Sequence, residues 1–95
     1  MTAPTPAALL RAALRLADAL SVIADELVRP DACAEILAAH ANCAIELCDA
    51  LVRTPAKVPA AAGPGMIAEA LESEQGPSAA TLLAWSDAWR TWGSR

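Results

Sequence analysis

The sequence contains no phenylalanine and no tyrosine, and its three tryptophans, Trp85, Trp89 and Trp92, crowd into one short stretch near the end of the chain. Basic residues are few and scattered, with no cluster of the kind that phosphate recognition requires. Nucleic acid is therefore not an expected partner, and neither is an anionic membrane surface. No stretch of about 18 uninterrupted apolar residues occurs, so no membrane span is expected. The start lacks a basic leader region, and Arg11 and Arg15 break the apolar run that a secretory signal would need. Phosphate-binding glycine loops, nucleophile elbows, CxxC and HExxH are all missing. The chain has one histidine, so a nucleophile–base pair would have to join His40 to a thiol such as Cys43, one turn away. The alanines and leucines around that pair supply no oxyanion donors. The expectation is a protein that is not an enzyme and carries no cofactor.

What remains is rich in helix formers. Ninety-five residues allow one domain, spanning 1–95. Apolar residues make up 56%, above the globular norm of about half. Much of that share is alanine, which favours helix but adds little buried volume. The core must draw on the leucines, a few Ile, Val and Met, and the tryptophans. The net charge is −4, and the acid lies mostly between Asp18 and Glu74. Glu69, Glu72 and Glu74 have no basic neighbour in sequence, which suits a basic protein partner. Three cysteines, an odd number on one stretch, fit a reduced cytoplasmic setting.

Residues 1–5 show no pattern and are expected to fray. From Pro6 a stripe of Leu9, Ala13, Leu16, Leu20, Ile23 and Leu27 alternates spacings of four and three, the mark of a long amphipathic helix. Pro30 interrupts it. A corner over 29–31 is expected, with Pro30 at the first position of a second helix and Asp31 at its positive end. That helix, running to about Arg53, shows a stripe of Cys33, Ile36, Leu37, His40, Ala44, Leu47, Cys48 and Leu51. Two such stripes joined by a short corner predict an antiparallel hairpin. Residues 54–65 are dense in proline and glycine and read as a linker. A short helix over about 66–75, stopped at Gly76, and a last helix from Pro77–Ser78 to Gly93 complete the chain. The fold class is all-α: a hairpin of two long helices plus two shorter ones.

The tryptophans stand at i, i+4 and i+7, within about 60° of arc, with Leu82 beside them and Ser86, Asp87 and Arg90 assigned to the opposite side. Two readings compete. The rings can close the hairpin as a lid, each burying roughly 150–250 Å². Alternatively, part of the stripe stays exposed and meets a partner. A mixed arrangement would put Trp85 inside and Trp92 nearer solvent. Cys33, His40, Cys43 and Cys48 suggest a metal site, but zinc needs four ligands gathered together. Only His40 and Cys43, at i and i+3, could share an ion. The default for His40 is a core or interface histidine, and if it is buried its protonation would loosen the packing.

These features lead to a non-catalytic protein-binding module: a small adaptor, regulator or occluding inhibitor. Trp85, Trp89, Trp92, Glu69, Glu72 and Glu74 are the contact candidates. Two alternatives accompany it. One is a homodimer whose two hairpins form a four-helix bundle. The other is a thiol or metal carrier using His40 and Cys43.

Overall fold

The computed structural model describes residues 6–53, 58–59, 62–73 and 75–94, and over these the chain forms four helices and no strand. The expected frayed start, residues 54–57 and 60–61 of the expected linker, and Glu74 lie outside the described residues. No helix among the described residues is long and apolar enough to cross a membrane.

Helix α1 (Pro6–Leu27) is the axis of the molecule. Its stripe folds inward as the periodicity requires: Ala13, Leu16, Ala17, Leu20, Ile23 and Ala24 are all buried. Arg11, Arg15, Asp18 and Asp25 stay outside. Helix α2 (Ala34–Val52) returns antiparallel to it, and α4 (Ala79–Gly93) packs along another side of α1. Helix α3 (Pro64–Glu72) lies against α2. Gly65 faces the Val52 side chain at the far end of α2. Leu71 comes beside Leu37 and Ala41 near its start, so α3 runs antiparallel to α2. The directions alternate up, down, up, down through the four helices.

The corner differs from the sequence expectation. Helix α1 stops at Leu27 and α2 starts at Ala34, so Pro30 and Asp31 sit in the connection rather than in the second helix. The cause is Glu26. Its carboxylate is almost enclosed, 7% exposed, and accepts the backbone N–H of Cys33 at 2.9 Å. Cys33 is the N-cap of α2 and provides no side-chain cap of its own. A carboxylate from the preceding helix satisfies one of the orphan donors of α2 and faces its positive end. Arg29 lies 3.9 Å from the same carboxylate. No local cap motif signals this arrangement, because the acceptor comes from seven residues back.

Other boundaries shift for visible reasons. Pro64 occupies the first turn of α3, where a missing N–H costs nothing, so Pro64 and Gly65 are helical rather than linker. Helix α3 stops at Glu72, short of the expected residue 75. Gly76 comes after the helix, in a turn at φ 61°, with its N–H donating to the Ser73 carbonyl at 3.1 Å. That left-handed conformation is one that glycine adopts without strain. Ser78 caps α4, its Oγ accepting the Thr81 N–H at 3.2 Å.

The α2 stripe is narrower than expected. Ala44, Cys48 and Leu51 are buried, and Leu37, Ala41 and Leu47 pack against them. Ile36 is 41% exposed, and Cys33 and His40 are only partly covered. Helix α1 shields one side of α2 and α3 another, which leaves the Ile36–His40–Cys43 edge in neither contact.

Candidate functional site

The face that α4 buries is rotated from the tryptophan stripe. Its fully enclosed residues are Leu82, Ser86, Trp89 and Gly93, spaced i, i+4, i+7 and i+11. Ser86, assigned to the outer side by its polarity, is 5% exposed and turned toward α1. Its Oγ donates to the Ala17 carbonyl at 2.7 Å, which makes its burial tolerable. At Gly93 the two helices approach closely. A Cβ there would lie 3.0 Å from Leu14 Cδ2 and 3.3 Å from the Leu10 carbonyl oxygen. Two small residues seven apart thus let α4 settle onto α1, and Arg90 reaches across to Asp18 at 3.1 Å.

This rotation sorts the tryptophans. Trp89 is wholly enclosed, and its indole N–H donates to the Ala62 carbonyl at 2.8 Å. It stitches α4 to the segment before α3, and as a core residue it offers no surface to a partner. Trp92 meets Trp89 edge to face, with centroids 5.5 Å apart and rings inclined at 65°. Trp85 and Trp92 are both partly buried and pack against the core. The mixed arrangement expected from sequence, Trp85 inside and Trp92 nearer solvent, gives way to a different one: Trp89 is the inner ring, and Trp85 and Trp92 are covered to a similar, partial degree. Glu69 and Glu72 are exposed, one turn apart on α3, and Glu74 lies outside the described residues.

Two recesses open on the surface. The first lies where the α1–α2 corner and the α3–α4 connection come together. Its volume is about 200 Å³, and Ile23, Leu27, Leu37, Leu71, Pro77 and Leu82 form its apolar wall. Leu27 is 43% exposed at its edge and the adjoining Val28 69%. Sequence reasoning read most of these side chains as separate helix stripes and overlooked the recess, because four elements contribute to it. The one local signal was the Gly76–Pro77 turn that brings α4 back over the hairpin.

The second recess, about 220 Å³, is a shallow groove between α1 and α2 lined by Arg15, Asp18, Ala19, Val22, His40 and Cys43. His40 and Cys43 do come together here. His40 is half-buried rather than core, which removes the premise for acid loosening of the interior. Among the described residues no three His, Cys, Asp or Glu side chains gather closely enough to hold a metal ion. Cys48 sits on the inner side of α2, 1% exposed. Burial first, and the neighbouring Asp49 carboxylate second, push its thiol up to about 12, so it stays protonated and unreactive. All three cysteines are free. Compared with known protein families, curated proteins and solved structures, the chain matches none.

Proposed function

We propose that this chain is a non-catalytic protein-binding module that captures a basic partner segment through the apolar recess at the corner end of the bundle. The observation that carries the reading is the recess itself. At about 200 Å³ it lies below the roughly 300–1,000 Å³ typical of small-molecule sites. It suits one large apolar side chain inserted from outside. Leu27 and Val28 extend it outward as exposed aliphatic surface. Trp85 stands one turn along α4 from Leu82, so its partly open ring continues the apolar strip. Glu72, next to Leu71 at the end of α3, is exposed, as is Glu69 one turn earlier, and the chain as a whole carries a charge of −4. Apolar anchoring inside an acidic border is the arrangement that recognises an apolar side chain flanked by Lys or Arg. The side chains lining this recess are aliphatic except for Gln75, and none of them is an acid, base or nucleophile.

The test is crosslinking capture from native lysate, comparing the wild-type chain with Leu27→Lys and with Glu69→Lys/Glu72→Lys. These positions are exposed, so circular dichroism and melting should be unchanged. The expected result is a basic protein captured by wild type, lost with Leu27→Lys and weakened by the charge reversals. Equal capture by all three chains would refute this surface.

A further inference from the structure

We propose that His40 and Cys43 together form a two-coordinate site for a soft monovalent metal ion, of which copper(I) is the biological example, in the groove between α1 and α2. This face lies apart from the corner-end recess, and the inference stands independently of the binding role proposed above. The two side chains are one turn apart on α2, at i and i+3, a spacing that sets Cβ atoms about 5–6 Å apart. Both line the same groove, and both are partly exposed. Neither side chain has a hydrogen-bond or ion-pair partner among the described residues, so nothing there competes for the sulfur or the ring nitrogens.

The other two thiols lack this setting. Cys48 is 1% exposed on the inner side of α2, and with its thiol pushed up to about 12 it keeps its proton. Cys33 stands about 10 Å from His40 along the helix axis. Its neighbour is the Glu26 carboxylate, a hard oxygen donor already engaged with the Cys33 N–H.

The kind of ion follows from the number and softness of the donors. Among the described residues no third His, Cys, Asp or Glu joins the pair closely enough to share an ion. The donor set therefore does not suit zinc, which asks for four ligands, nor calcium or magnesium, which ask for several oxygens. Thiolate and imidazole are donors that copper(I) favours, and a closed-shell monovalent ion of this class is held by two of them nearly in line. Charge selects in the same direction. One monovalent ion, one thiolate and one neutral imidazole sum to zero, which suits a groove floored by Ala19 and Val22. A divalent ion would leave surplus positive charge beside the Arg15 guanidinium, which lines the same groove. The Asp18 carboxylate at its edge is already paired with Arg90 at 3.1 Å. On binding, the Cys43 thiol gives its proton to solvent as the sulfur–metal bond forms, and no electron is transferred.

The test is titration of the reduced full chain with copper(I) under anaerobic conditions, with bicinchoninate as the competing chelator and indicator. The expected result is one ion per chain and a sulfur-to-copper absorption band in the near ultraviolet. Cys33→Ser should keep both, and Cys43→Ser should lose both. His40→Gln should weaken binding by more than the roughly 10–100-fold that losing an outer-shell partner costs. All three positions are partly exposed, so circular dichroism should show unchanged helicity. The chain has one histidine, so its ring proton resonances give a readout that needs no variant. They should shift on adding diamagnetic copper(I) and saturate at one equivalent, and zinc(II) at the same concentration should leave them in place. Ring resonances that do not move overturn the proposal, as does an equal response to zinc(II). Uptake that is indifferent to Cys43→Ser or to His40→Gln overturns it too. One ion for every two chains does the same, because a thiolate from each copy, rather than the thiolate–imidazole pair, would then hold the metal.

Discussion

Replacing Trp89 with phenylalanine isolates what holds the last helix in place. The substitution keeps a flat aromatic ring at the centre of the α4 face and deletes the indole N–H that reaches Ala62 at 2.8 Å. Ala62 is itself fully buried, so no water can replace the lost donor. A buried carbonyl left without a partner costs about 1–3 kcal/mol. The smaller ring also gives up about 40 Å² of buried surface, worth about 1 kcal/mol at roughly 25 cal/mol/Å². Part of the edge-to-face contact with Trp92 goes too, a further fraction of about 0.5–1.5 kcal/mol. The expected loss is about 2–4 kcal/mol, a large share of the 5–15 kcal/mol that stabilises a typical domain. For a chain of this size the melting temperature should fall by about 10 °C or more. Urea unfolding followed by circular dichroism measures the loss directly, with Trp85→Phe as the control. Trp85 is only partly buried and forms no hydrogen bond to the described residues, so its replacement should cost under about 1 kcal/mol. A Trp89→Phe variant within about 0.5 kcal/mol of wild type, or a Trp85→Phe variant that loses more, would refute the assignment of Trp89 as the anchor.

Gly93→Ala adds a methyl group against Leu14 and the Leu10 carbonyl at 3.0 and 3.3 Å. Despite alanine's better helix propensity, it should destabilise by about 1–2 kcal/mol in urea titrations. Ser86→Ala should lose only the hydrogen bond to Ala17, about 0.5–1.5 kcal/mol, whereas Ser86→Leu should cost more because the helices have no room to part. In the native chain, a thiol reagent at pH 8 should label Cys33 and Cys43, both partly exposed, and reach Cys48 only after unfolding. The folded Cys48 thiol is raised from its ordinary 9.0 to about 12, so folding favours the neutral form. Its contribution is complete below pH 9 and declines as pH rises from 9 toward 12. Alkaline melting curves should therefore fall less steeply in Cys48→Ala than in wild type.

The recess and the groove were legible to different degrees. His40 and Cys43 share a face by their spacing alone, and the structure does set them side by side. Spacing along one helix cannot say which neighbouring helix covers that face, so the spacing left His40 as either a core or an interface residue, and α1 and α3 both leave its edge open. The corner-end recess was not legible at all. Leu27 and Leu71 belong to separate stripes, and only the course of the chain through Gly76 and Pro77 sets them around one hollow.

By itself the sequence determined the helices, their breaks and the antiparallel hairpin. Apolar spacing and the placement of proline and glycine are local properties, and they act through backbone conformation within a few residues. Tertiary structure alone decided the rotation of α4, the identity of the inner tryptophan and the true start of α2. Those depend on how closely two backbones approach, which is governed by the smallest side chains, Ser86 and Gly93, and on a distant acceptor, the Glu26 carboxylate. Hydrophobic periodicity weighs large residues and does not register where a small one lets a neighbouring helix come close.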